Sequence, residues 1–314
     1  MLAILTITFP IFALIALGYL LTSLRVFDPH ALGVLGKFVM LVALPALLFH
    51  ATATRSFSSL VNPSFLLLLV LAAVTTQLLI WALLRLRGVG PGRRAIGVMG
   101  AASPNSAFLA FPIMQIVYPE EAPSILAMCL LVENFLLQPT GLTMIAALQP
   151  GGGISPVRRM GQVAASVLKR PFIIAIILGT VVSIFAIPLP LAVERVFDLL
   201  SRSASPVALF FIGGSLVGLS MKGNLGLAGV IAAFKLLVHP AIAFVWLSLF
   251  ALLALPMPPE NMSHALILAT AMPVFGTFPI LAQGSGHEGV ASLTVTLSTA
   301  FAFVTLTVLL GLLA

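Results

Sequence analysis

The chain has 314 residues, of which 61% are hydrophobic and 7% charged, against about 25% charged residues in an ordinary soluble domain. That balance excludes a soluble globular enzyme and names the lipid bilayer as the surrounding medium. The formal charge of +7 would suit nucleic acid, but the basic residues gather on no single face or tail, so nucleic acid is excluded as a partner.

Ten apolar runs approach the roughly 20 residues that a helical crossing needs. They fall at 2–22, 33–54, 64–84, 94–118, 122–148, 171–188, 192–219, 224–254, 262–284 and 288–313. The first run has no basic flank and no small-residue cleavage site, so it is expected to be a retained span rather than a signal peptide. The second carries Pro45 at mid-span and ends near His50 and Arg55. Neither His50 nor the later His239 has a spaced His, Asp or Glu partner, which favours structural hydrogen bonding over metal ligation or proton relay.

The fourth run contains ASPNSAFLAFP, residues 102–112, with Pro104 and Pro112 inside otherwise apolar sequence. Proline removes a helical N–H and crowds the carbonyl four residues earlier, so this span is expected to break or unwind. Backbone freed in that way is tolerated in hydrocarbon only where protein or a water-filled cavity satisfies it. A broken helix also turns a positive N-terminal end toward the midplane, where an anion can be held by backbone N–H groups. Ser103, Asn105 and Ser106 would add side-chain donors and acceptors there. The competing reading is a helix that is merely kinked, since Pro and Ser are common in spans.

In the fifth run, Cys129 is the single cysteine, and Glu133 lies near mid-span with Asn134 and Gln138 following. An intramembrane carboxylate is costly unless protonated, paired or hydrated, so it is a functional candidate by default. Glu133 with its neighbours could carry a proton or help ligate sodium; the alternative is a structural carboxyl. Residues 149–170 form a Gly-, Pro- and Arg/Lys-rich connection between a first unit, 1–148, and a second, 171–314. Past it, the seventh run has Pro206 at mid-span, and the eighth contains Lys235, His239 and Pro240. Lys235 either snorkels to the interface or serves the site by pairing with Glu133 or attracting an anion. The ninth run repeats the interruption with Pro273, Gly276, Thr277 and Pro279.

Five runs precede the connection and five follow, and five is odd, so the two halves should enter the membrane from opposite sides. Interrupted spans at corresponding places in two inverted halves point to a transporter binding site. If loops alternate sides, Arg25, Lys37, the Arg85–Arg94 cluster, Arg158, Arg159, Lys169, Arg170 and Lys222 fall on one side, against Arg55, Arg195 and Arg202 on the other. The positive-inside rule makes the first side cytoplasmic, placing 149–170 inside and both termini outside. There is no C-x-x-C, H-E-x-x-H, G-x-S-x-G or Walker A pattern, which argues against an intramembrane enzyme, a metal centre and an ATP-driven pump. No cofactor is implied.

Several stretches carry a resemblance. The segment FPIFALIALGYLLTSLRVFDPHALGVLGKFVMLVALPALLFHATA, then PNSAFLAFP, KLLVHP and AMPVFGTFPILA in order, together resemble the auxin efflux carrier family, which includes the plant PIN-FORMED carriers and many bacterial members. The resemblance spans essentially all ten runs. It implies an all-α membrane protein of ten helices in a 5+5 inverted repeat, with a scaffold and a transport domain. Helices four and nine would be broken and crossing, as in folds similar to bile-acid symporters and sodium/proton antiporters.

The resemblance further implies a small organic anion as substrate, with Asn105 at its carboxylate and Pro112 and Pro279 as the crossing prolines. It also implies a homodimer through the scaffold domain. Thr277 stands where an asparagine would be expected, and the short 149–170 connection departs from the long loop of the plant members, favouring a bacterial inner membrane. Two transport readings stand: a carboxylate carrier working by alternating access, and a sodium- or proton-coupled importer. A channel or receptor is the competitor from another class.

Overall fold

The computed structural model describes residues 2–54, 61–148, 161, 165–219 and 223–313. Arg55, Arg158, Arg159 and Lys222, and most of the 149–170 connection, lie outside the described residues. The architecture is helical, with no strand among the described residues.

The helices that account for the ten runs begin with α1 (Leu2–Ser23), α2 (Pro29–Phe38 running on through Val39–Ala43 into Leu44–Ala53), α3 (Pro63–Leu86), α4 (Pro91–Ala102) and α5 (Ser106–Val117). Next come α6 (Ala122–Ala146), α7 (Pro171–Ile184), α8 (Leu191–Ser215) and α9 (Leu225–Leu252). The series closes with α10 (Glu260–Thr270), α11 (Phe278–Ala282) and α12 (Glu288–Leu313). Among the described residues, six helices are long and apolar enough to cross a membrane: α2, α3, α6, α8, α9 and α12. Shorter apolar helices supplement them.

Local chemistry sets the boundaries. Proline opens α2, α3, α4 and α7, where the missing N–H costs nothing because the first turn has no intrahelical acceptor. The side chains of Asn62 and Asn224 each accept an N–H from the first turn, at 2.9 Å, capping α3 and α9. Interior prolines are handled by one recurring device. Wide i→i+5 turns occupy Val39–Ala43, Ser106–Ala110, Glu133–Leu137 and Phe234–Val238, each starting six residues before a proline: Pro45, Pro112, Pro139 and Pro240. The residue just before each proline donates to the carbonyl five back, as Phe111 does to Ser106 and Gln138 to Glu133. One extra residue in the turn moves the crowded carbonyl away from the ring, so the helix continues.

Two sets of helices result. In one, α1 packs along α8, and α2 packs against α7 and α8. The α1–α8 approach is close enough that a Cβ on Gly213 would collide with the Ile15 carbonyl, the small-residue contact through which helices associate in lipid. In the other set, α3 packs on α4 and α9, α6 on α4, and α9 and α11 on α12. The short α5 bridges the sets, touching α1 and α8 on one side and α6 on the other.

Candidate functional site

The fourth and ninth runs are each interrupted. Helix α4 ends at Ala102 and α5 begins at Ser106, leaving Ser103–Asn105 non-helical; α10 ends at Thr270 and α11 begins at Phe278. The two interruptions meet. Pro104 and Val274 form an isolated antiparallel bridge, and the Asn105 N–H donates to the Pro273 carbonyl at 2.8 Å. The Val274 N–H donates to Ser298 Oγ of α12 at 3.2 Å. Backbone polar groups released by the interruptions thus find partners within the protein, which a low-dielectric interior requires.

The bridge falls at other residues than the prolines that the resemblance implies. The crossing is made at Pro104 and Val274; Pro112 sits inside α5, where the wide turn absorbs it, and Pro279 sits in the first turn of α11. The physical reason is the fate of the freed carbonyls: at Pro104 a second chain segment lies against the break, and at Pro112 a longer turn suffices. The two halves are also unequal, because α11 has only five residues and contributes little dipole. Gly276 and Thr277 are exposed, while Ser103, Pro104, Asn105, Ser106, Pro112 and Pro273 are buried. The exposed Gly276 and Thr277 follow Val274 by two and three residues, beside the bridge.

Asn105 is 4% exposed, and its side chain makes no hydrogen bond among the described residues. The Ser103 hydroxyl is buried without a partner among the described residues. Ser106, the first residue of α5, donates its hydroxyl to Glu133 Oε1, setting a buried carboxyl beside the positive end of that helix. Lys235 has no exposed surface, so the snorkelling alternative is overturned. Its Nζ donates to the Thr270 carbonyl at the C-terminal end of α10 and lies 3.1 Å from His239 Nδ1. A broken helix leaves carbonyls unsatisfied at that end, and an ammonium answers them in both hydrogen bonding and dipole. With Nζ as the donor, His239 Nδ1 accepts and the imidazole proton rests on Nε2, a buried atom without a partner among the described residues. Glu133 and Lys235 do not touch: neither makes an ion pair among the described residues, so the expected direct pairing is absent.

Asn134 donates to the Leu130 carbonyl at 2.7 Å and accepts from the Arg170 guanidinium. Gln138 is half-buried, and its side chain makes no hydrogen bond among the described residues. Between the helix sets, Ser205 donates to Gln115 at 2.5 Å, and the Phe108 and Phe211 rings lie 5.4 Å apart. Sequence reasoning missed Arg170 and Ser298 as site residues. Arg170 reads as a loop charge, although it stands directly before the proline that opens α7; the Ser/Thr-rich face of α12 is the signal for Ser298. Among the described residues no three His, Cys, Asp or Glu converge as metal ligands.

A family model described as "Membrane transport protein" matches residues 3–310. Among curated relatives, a "Putative malonate transporter" of Rhizobium meliloti (strain 1021) is 28% identical over 309 residues, covering 96% of this chain and 93% of that protein. An "Uncharacterized transporter" of Methanothermobacter thermautotrophicus is 24% identical, covering 74% of each chain. The "Uncharacterized transporter YfdV" of Escherichia coli (strain K12) is 25% identical, covering 65% of this chain and 66% of that protein.

Proposed function

The chain belongs to the membrane transport protein family, which is the auxin efflux carrier family, and from that premise we propose that it is a secondary carrier of small carboxylates bound where the two interrupted segments meet. It is an integral membrane transporter rather than an enzyme. The observation that carries the binding reading is the Pro104–Val274 bridge. It brings the broken backbones to one buried place, with the unengaged Asn105 amide at the entry to α5. Backbone N–H groups at that helix end and the amide together suit a carboxylate without requiring a full positive charge.

The helix sets support alternating access. Helices from both halves of the chain build each set: α1 and α2 join α7 and α8, while α3 to α6 join α9 to α12. The principal packings of α1 on α8 and of α7 on α2 are reciprocal, as a 5+5 inverted repeat of 1–148 and 171–314 would produce. The first set is the scaffold and the candidate dimer surface; the second is the transport domain, and movement of one against the other exposes the crossing to each side in turn. On this reading ten crossings leave both termini on one side, and the basic loops make that side the outside, with 149–170 in the cytoplasm of a bacterial inner membrane. The relative named for malonate makes a short dicarboxylate the first substrate to test.

A second reading, a sodium- or proton-coupled importer, is favoured by one observation: the buried Glu133 carboxyl reaches the crossing through Ser106. Exchange in proteoliposomes across malonate, monocarboxylates and indole-acetate, with and without ion gradients, tests both. A saturable counterflow is the expected result; conductance without saturation would make the protein a channel.

A further inference from the structure

Arg170 sits deeper than its place in a basic connection suggests. The helix it precedes, α7, has 14 residues and is about 21 Å long at 1.5 Å per residue, short of the roughly 30 Å hydrocarbon core. Helix α7 packs along Leu44–Ala53, the second half of α2, and a Cβ on its Gly179 would meet Thr52 and the Phe49 carbonyl. Its start is therefore level with the middle of α2, far from the end of α2 at Pro29. The side chain of Arg170 leaves that start and reaches Asn134, midway along α6.

The guanidinium thus lies at the junction of the two helix sets, with its backbone in one and its contact in the other. Its charge is not matched in kind. Its hydrogen-bond partner among the described residues is the neutral amide oxygen of Asn134, and no carboxylate lies within ion-pair distance of it there. Glu133 is near enough to be felt electrostatically, but its carboxyl is taken by Ser106. A guanidinium offers five N–H donors in a planar fork that fits a carboxylate. One contact to an amide leaves most of that fork open, and the residue is half-buried rather than sealed.

Resting on the carboxylate-carrier reading, we propose that Arg170 receives the second carboxylate of a dicarboxylate whose first is held near Asn105, and so sets a preference for dianions over monoanions. Asn134 then acts as a positioning residue, parking the guanidinium until substrate replaces it. A mere partner for Glu133 would serve every substrate alike and would become dispensable once Glu133 is neutral. A latch between the helix sets would also affect every substrate alike.

The test compares malonate with acetate in proteoliposomes of wild type, Arg170→Gln, Arg170→Lys and the Glu133→Gln/Arg170→Gln double variant. Loss of a charge-assisted fork should raise the malonate KM about 10- to 100-fold in Arg170→Gln and leave acetate within about twofold, and the double variant should not recover malonate. Equal loss for both substrates, recovery in the double variant, or an unchanged malonate KM overturns the proposal and leaves the carrier reading standing. Wild type carrying acetate but not malonate likewise overturns the proposal alone; wild type carrying neither overturns the proposal, and the carrier reading with it only where the other monocarboxylates and indole-acetate are refused too. Should Arg170→Gln fail to elute as a monodisperse protein, Arg170→Lys decides. A fall in the malonate-to-acetate ratio is expected from the lost fork, and an unchanged ratio refutes it.

Discussion

The backbone N–H of Asn105 lies 2.8 Å from the Pro273 carbonyl and donates to it, so an atom from one half of the chain satisfies an atom from the other. With the Pro104–Val274 bridge, this contact holds two non-helical segments together where neither could stand alone in hydrocarbon. The same contact engages the Asn105 backbone and leaves its side chain available. On the proposed reading the labour is divided, backbone for the crossing and amide for the ligand.

Replacing Asn105 by alanine should therefore leave the crossing intact and remove a ligand contact. A hydrogen bond to a charged group is worth about 1.5–3 kcal/mol, which corresponds to a loss of about 10- to 100-fold in affinity. Membrane insertion and monodispersity should match wild type. Malonate binding and counterflow measure the effect, and wild-type affinity in Asn105→Ala would remove the crossing from the binding site.

Val274 predicts a structural counterpart. Its N–H is served by Ser298 Oγ from α12, so Ser298→Ala strands a buried donor at a cost of about 1–3 kcal/mol. Thermal unfolding in detergent should show the loss. Ser298→Thr, which keeps a hydroxyl, should recover part of it.

Glu133→Gln keeps the shape and an acceptor for Ser106 while discarding the charge. If the carboxyl couples transport to a cation, driven accumulation should vanish while substrate exchange persists. Uptake measured with and without an imposed proton or sodium gradient separates the two. An unchanged gradient response would make Glu133 a structural carboxyl.

Lys235→Met leaves the Thr270 carbonyl at the end of α10 without the ammonium that now serves it and leaves His239 Nδ1 without its donor. Both losses fall in a fully buried place, so lowered stability should accompany lowered transport. Lys235→Arg, retaining charge and donors, should restore stability further than it restores transport. Thermal melts read beside exchange rates check this.

The sequence made the helical, membrane-spanning character and the two interruptions readable, because apolar runs contrast sharply with Pro, Gly and charge. It could not say which proline makes the crossing. Pro104 and Pro112 look alike in one dimension, and the difference lies in what packs beside each: Val274 for one, a widened turn for the other. Lys235 was readable as an intramembrane charge, but its burial depends on a carbonyl 35 positions away. Arg170 looks like a topology marker because its depth comes from the shortness of α7 and its seat on the second half of α2. Both are relations between helices, which no local pattern encodes.

Pro112→Ala tests the widened turn itself. The substitution restores an N–H at position 112 and relieves the ring, so the Ser106–Ala110 turn, now closed by Phe111 donating to Ser106, can tighten to ordinary α-helix. Removing one residue's worth of turn rotates the part of α5 before it by about 100° relative to the part after it, at 3.6 residues per turn. Either Ser106 swings off Glu133 or the outer part of α5 turns against α8, disturbing Gln115 and Ser205. The protein should fold, since helical hydrogen bonding improves, yet transport should fall, with the larger effect on turnover than on the affinity set at Asn105. Pro139→Ala should act in the same way on Glu133, which opens its own wide turn. Normal turnover in both variants would show that the turns merely accommodate proline and do not aim the side chains within them.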